Sequence, residues 1–189
     1  MTMPNIREGN KTALVIVDVQ VGVVKGAWES ERIVGNVALV VERARAQGVP
    51  VIWVQHADED LVHSSPEWQW APELLPATGE RLIHKNFNSS FEQTSLNDDL
   101  AQLGATHIVL AGCATNWCIR ATAYGALERG YDLTLVKDAH TTKTMHLDSG
   151  MKLEAEMLIQ DLNIVMTSLR YPSRKNRTAK AGEVCFTMS

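Results

Sequence analysis

Along this chain, short and wholly apolar runs alternate with longer stretches of helical periodicity. Ala13-Leu14-Val15-Ile16-Val17 is a continuous run rich in β-branched residues, the pattern of a strand buried on both faces, and it ends in Asp18-Val19-Gln20. Ile33, Val37, Val40, Val41 and Ala44 then recur at helical spacing, behind an acidic start at Glu29-Ser30-Glu31 and ahead of a Gly48/Pro50 stop. Val51–Val54 predicts a second strand ending in Gln55-His56, and Arg81–His84 a weaker third ending at Lys85. Ser95 is expected to cap a helix through Leu103. Ile108–Ala111 predicts a fourth strand, followed by a tight turn at Gly112, a cap at Thr115 and a helix to about Arg129. Tyr131–Val136 reads as a fifth strand, residues 148–161 as a helix with Leu153, Met157 and Leu158 inward, and Ile164-Val165-Met166 as a sixth strand.

Strands alternating with helices predict an α/β fold, a three-layer, doubly wound, six-stranded parallel sheet. The expectation is one domain over 1–189, with a core of about 11–168 and a basic stretch at 170–189 as a tail or oligomer arm. From Glu59 to Thr78 runs an excursion with Trp68, Trp70 and three prolines but no periodicity, which suits a functional loop.

Composition narrows the class. The chain has 189 residues, 45% of them hydrophobic, ordinary for a globular domain. A net charge of −4, with no basic patch interleaved with aromatics, argues against a nucleic-acid partner. No apolar run approaches a membrane span, and MTMPNIREGNK has no apolar leader core, so no membrane partner and a cytoplasmic location are expected. Three cysteines without a CxxC pair argue against a disulfide framework or zinc knuckle. His56, His63 and His84 match no recurrent ligand spacing, so neither metal nor cofactor is expected.

In a doubly wound sheet, ligands bind beyond the carboxyl ends of the strands. Asp18, Gln55-His56, His84-Lys85 and the turn leading to Cys118 all fall there. Cys118 near a helix start has converging N–H groups and the positive end of the macrodipole beside it, which favour a thiolate nucleophile. Asp18 can carry its proton, and Lys85 can stabilise both anions. These forces suggest a resting thiolate at Cys118. Each residue also has a plainer reading: Cys118 as core packing, Asp18 as a structural acid or metal ligand, Lys85 as a solvated lysine. Gln20, Trp28, His56, Phe87, Phe91 and Trp117 are the candidate substrate-binding residues, the aromatics serving equally well at a subunit interface.

VIVDVQ at 15–20, HKNFNSSF at 84–91 and AGCATNWCIRATAYGALERGY at 111–131 resemble the three signature blocks of isochorismatase-like cysteine hydrolases. The resemblance runs from about Lys11 to Ser168. It implies sheet order 3-2-1-4-5-6 and a triad of Asp18 as acid/base, Lys85 as its charged partner and Cys118 as nucleophile. It also implies a cis Cys113–Ala114 peptide and an oxyanion hole from the N–H groups of Ala114 and Cys118. Family members commonly form homodimers or homotetramers. Nicotinamidases of the family carry an Asp-x-His metal set where Gln55-His56-Ala57 stands here, and isochorismatases lack the cysteine. The favoured activity is therefore metal-independent C–N hydrolysis of a small molecule through Cys118, with a vinyl-ether hydrolase and a nicotinamidase-like amidase as alternatives. With this sheet order, Lys85 starts two strands from Asp18, ~10 Å away. The loop after His84 is expected to carry it inward.

Overall fold

The structure is a computed structural model describing residues 7–187; part of the amino-terminal stretch read for a leader and the last two residues of the tail lie outside them. The strands are β1 (Lys11–Val17), β2 (Val51–His56), β3 (Arg81–Lys85), β4 (Ala105–Cys113) and β5 (Asp132–Thr141), then a two-stranded ribbon, β6 (Met145–His146) with β7 (Lys152–Leu153), and finally β8 (Asn176–Ala179). The helices are α1 (Val21–Val24), α2 (Ser30–Ala46), α3 (Leu96–Gln102), α4 (Arg120–Glu128) and α5 (Ala155–Ser168). A six-stranded sheet in the order β3-β2-β1-β4-β5-β8 pairs in parallel throughout. The strand order reverses beside β1, so the crevice between the ends of β1 and β4 is where a ligand site belongs.

The apolar strands serve two cores at once. Ala13, Val15 and Val17 of β1 face Ile119, Ala123, Ala126 and Leu127 with α3 and part of α5. Leu14 and Ile16 face Val34, Val37, Val41 and Ala44 of α2 on the other side. That alternation is the period-two geometry of a strand, and it makes three layers.

Several elements differ from the sequence reading. Ile164-Val165-Met166 is not a strand; it lies inside α5, whose buried positions Ala155, Ile159, Leu162, Asn163 and Met166 keep helical spacing straight through it. Met157, expected to face inward, is exposed, as is Ile164. The sixth strand of the sheet instead comes from the stretch read as a tail. β8 pairs with β5, and Ala181, Val184 and Phe186 beyond it bury against α2's side of the sheet. A polar Asn-Arg-Thr-Ala segment gives no apolar signal because an edge strand stays half exposed. Residues 21–24, between β1 and α2, make the short helix α1. Ser95 does not cap α3 by its side chain; its hydroxyl donates to Asp99 Oδ2 at 2.7 Å. No described helix is long and apolar enough to cross a membrane.

Candidate active site

Asp18, the residue after β1, adopts φ 52°, a left-handed conformation that Asp tolerates better than most residues and that clusters at functional sites. Opposite it, β4 ends at Gly112 and Cys113, the Cys113–Ala114 peptide is cis, and Thr115–Ile119 forms a π-helical turn running into α4. Thr115 is not a side-chain cap. Its hydroxyl meets His140 Nδ1 at 2.9 Å, and His140 Nε2 meets Asn163 Oδ1 at 3.0 Å. Because Asn163 Nδ2 already donates to Lys137 O, its Oδ1 must accept from His140 Nε2–H, leaving Nδ1 to accept from Thr115. A buried polar chain thus pins the turn that carries Cys118.

Lys85 reaches the site without help from the following loop. It is the last residue of β3, in register with His56 at the end of β2, and its side chain extends over the end of β2. The ammonium is fully buried, 2.7 Å from Asp18 Oδ2 and 3.2 Å from Cys118 Sγ. The three residues named from the sequence therefore meet at one point. Asp18 Oδ1 is buried without a hydrogen-bond partner among the described residues.

Burial dominates the electrostatics here. It raises the Asp18 carboxyl above its ordinary range, against the pull of the Lys85 ammonium. Burial, then the Asp18 charge, pushes the Cys118 thiol up to about 12, with Lys85 opposing. Burial and the Asp18 charge thus both work against the expected resting thiolate and favour the protonated thiol at Cys118. Desolvation beside a carboxylate opposes what helix-start N–H groups and one cation favour.

A cleft of about 440 Å³ opens next to the triad, with His56, Cys113, Ala114, Trp117 and Thr142 among its walls. The Glu59–Thr78 excursion contributes Asp60, Leu61 and Glu67, and the β5–β6 segment adds Lys143 and Met145. His56 and Trp117 thus line this cleft. Gln20 does not: it is fully buried, its Nε2 donating to His56 O and Trp68 O while its Oε1 accepts from His56 N. Trp28 lines a separate cavity with Arg32 and Lys137. Phe91 packs in the core against Tyr131, with ring centroids 5.9 Å apart. Phe87 is exposed and off the cleft. Aromatic character alone marked these three, and it does not separate core from pocket. Sequence reading missed Asn88, whose Oδ1 lies 3.8 Å from Cys118 Sγ, and Asp58, whose Oδ2 lies 2.9 Å from His56 Nε2. Asn88 sits within the second block and could have been found there; Asp58, an acid in a polar loop, carried no such signal. Among the described residues no group of three or more His, Cys, Asp and Glu side chains is arranged to hold a metal ion.

The Isochorismatase domain matches residues 12–168, more than four-fifths of the chain and all three of the segments that meet at the site. The chain belongs to the isochorismatase family. A streptothricin hydrolase from Streptomyces noursei is 35% identical over 138 residues, covering 69% of this chain and 54% of its own. A maleamate amidohydrolase from Pseudomonas putida is 32% identical over 108 residues, covering 52% and 51%. The chain spans about half the length of these relatives. The crystal structure of an isochorismatase from Pseudomonas putida superposes with a TM-score of 0.81 at 26% identity, covering 96% of this chain and 93% of that one.

Proposed function

We propose that this protein is a cysteine hydrolase that cleaves a C–N bond of a small amide, carbamoyl or related compound. The observation that carries the reading is one buried ammonium, Lys85 Nζ, bridging a carboxylate and a thiol behind a cleft lined by His56, Ala114 and Trp117. The two relatives above support it, since one is named as a hydrolase and the other as an amidohydrolase.

The chemistry follows from the proton positions. Asp18 takes the Cys118 proton as sulfur attacks the substrate carbonyl carbon, so a thiol need not ionise before substrate arrives. Because burial raises the Asp18 carboxyl, the transfer is less uphill than to an ordinary carboxylate. Lys85 stays charged between them and compensates the negative charge as it moves from oxygen to sulfur. The N–H groups of Ala114 and Cys118, at the start of the helical turn, are the donors for the developing oxyanion. Collapse of the tetrahedral adduct breaks the C–N bond, and Asp18 returns the proton to the leaving nitrogen. Water, deprotonated by Asp18, then attacks the thioester; the acid leaves and sulfur recovers its proton. The net reaction is amide plus water giving acid plus amine, with no metal or cofactor required in these steps. A cytoplasmic homodimer or homotetramer is the setting we propose.

Vinyl-ether hydrolysis, the alternative activity, would leave the Lys85–Cys118 contact without a role. The test is a screen of small amides and carbamoyl compounds, with mass detection of an acyl adduct on Cys118. Turnover of an accepted amide by a Cys118→Ala variant at a near-normal rate would overturn the reading.

A further inference from the structure

The ammonium of Lys85 has three protons and no lone pair, so a buried Lys85 calls for three acceptors. Asp18 Oδ2 and Cys118 Sγ are two of them. The third is His56 Nδ1 at 3.4 Å, a long contact, made because β2 and β3 end in register and Lys85 must cross His56 to reach Asp18. An imidazole nitrogen can accept from an ammonium only if it carries no proton, so the ring proton belongs on Nε2. Nε2 faces Asp58 Oδ2 at 2.9 Å.

Asp58 is itself held in place. Its Oδ1 accepts from the backbone N–H groups of Asp60, at 2.9 Å, and Leu61, at 2.7 Å, which closes a local turn and fixes the carboxylate's direction. Burial would raise this carboxyl, but the His56 hydrogen bond and the two N–H groups outweigh it and hold it below the usual range. From the other side, Gln20 clamps both the N–H and the carbonyl of His56. The imidazole therefore has its backbone, its tautomer and both ring nitrogens fixed, and no ring nitrogen is left for substrate or a metal.

We propose that His56, locked as the Nε2–H tautomer by Asp58, is a positioning residue that holds the Lys85 ammonium between Asp18 and Cys118. The inference rests on the triad reading given above, and it assigns a role to an Asp–His pair that the three-residue mechanism does not use. Loosening the pair lets the ammonium drift from sulfur, which leaves the thiol more strongly protonated. The proton transfer then becomes harder.

Asp58→Asn gives the sharpest test. Its Oδ1 can still accept from Asp60 and Leu61, but an amide NH₂ now faces Nε2, so the ring proton moves to Nδ1 and points at the ammonium. A change of partner at an imidazole with geometry intact selects the wrong tautomer in other sites too. His56→Leu removes the acceptor while keeping bulk, and His56→Asn restores an acceptor near the Nδ1 position while losing bulk. The readout is the rate of Cys118 alkylation by iodoacetamide at one fixed pH, followed by peptide mass, alongside melting temperature.

Asp58→Asn and His56→Leu are expected to slow alkylation about tenfold, the equivalent of one pKa unit on the thiol, with His56→Asn within about threefold of wild type. With an accepted substrate, kcat should fall in the same order, and in Asp58→Asn, which keeps the His56 side chain, KM should change less than kcat. Wild-type alkylation in Asp58→Asn and His56→Leu, or His56→Asn as slow as His56→Leu, overturns the proposal. Alkylation does not require turnover, so it reports on His56 even if Cys118→Ala remains active, the outcome that would instead sink the hydrolase reading.

Discussion

A β-carbon on residue 112 would stand 2.0 Å from the carbonyl oxygen of Val17. The ends of β4 and β1 approach so closely because Gly112, at φ 126°, has no side chain to keep them apart. That approach sets Asp18, one residue past Val17, beside the turn that carries Cys118. Gly112→Ala should thus fail on two counts, backbone clash and backbone conformation. A loss on the order of 4 kcal/mol is expected, visible as a large drop in urea midpoint or as insoluble protein. A variant of normal stability would mean that the two strand ends are farther apart.

Removing the nucleophile should separate activity from fold. Cys118 is part of one apolar core, yet Ala leaves only a small void there. Cys118→Ala and Asp18→Asn are each expected to lower turnover of an accepted amide by about 10³-fold or more; Cys118→Ala should nearly keep the melting temperature, whereas Asp18→Asn should lower it, since it leaves the buried Lys85 ammonium without its counter-charge. Cys185→Ser, on an exposed residue away from the cleft, should change neither. Equal losses in all three would point to general destabilisation instead of chemistry.

The site was more legible in the sequence than the fold's edges were. Asp18 and Cys118 each follow a strand whose apolar run is unmistakable, Lys85 closes a weaker one, and a parallel sheet brings strand ends together whatever the loops do. Lys85's route was not legible: the in-register ends of β2 and β3, and a side chain long enough to cross His56, made an inward loop unnecessary. β8 was invisible because its stabilisation lies in polar ties, such as Asn176 Nδ2 donating to Met166 O and Leu169 O, and these leave no hydrophobic pattern. Ile164-Val165-Met166 misled for the opposite reason, since three apolar residues in a row read alike in strand and helix. The resting charge of Cys118 depended on the depth of burial, which a sequence does not state.

That charge can be read directly by alkylation. Cys118 is pushed up to about 12, whereas the exposed Cys185 is held below the ordinary thiol value by its Thr187 hydrogen bonds. Below about pH 9, with the site empty, Cys185 should be modified first and Cys118 slowly. Lys85→Met removes the one cation that lowers the Cys118 value, so its alkylation should slow further, by about tenfold for each unit of added shift. If Cys118 reacts ahead of Cys185 at neutral pH, the thiolate is the resting form and desolvation has lost to Lys85.

His140 ties the same turn to the stability of the whole molecule. Burial, only partly offset by the Asn163 hydrogen bond, lowers His140 from 6.5 to about 4. Burial together with the Arg177 charge does the same to His107, between Thr12 and Thr134 at the far ends of the strands. Both rings are neutral in the fold at pH 5 while the unfolded chain has taken up a proton on each. The unfolded state then binds more protons, so stability rises with pH across this window and is lost as pH falls from ~6.5 towards ~4. Each ring contributes on the order of 3 kcal/mol when the loss is complete. Urea midpoints measured from pH 7 down to pH 4.5 should therefore decline steadily. His107→Gln should flatten the slope while leaving turnover at pH 7 unchanged, since that ring lies away from the cleft. Protonating His140 has a second consequence: Nδ1 can no longer accept from Thr115, and the turn carrying Cys118 loses its anchor. Activity in the His107→Gln variant should thus still fall with acid, at pH values where the protein remains folded by circular dichroism. A midpoint that stays level between pH 7 and pH 4.5 would show that both rings titrate alike in the folded and unfolded chain, and the anchoring role of His140 would go with it.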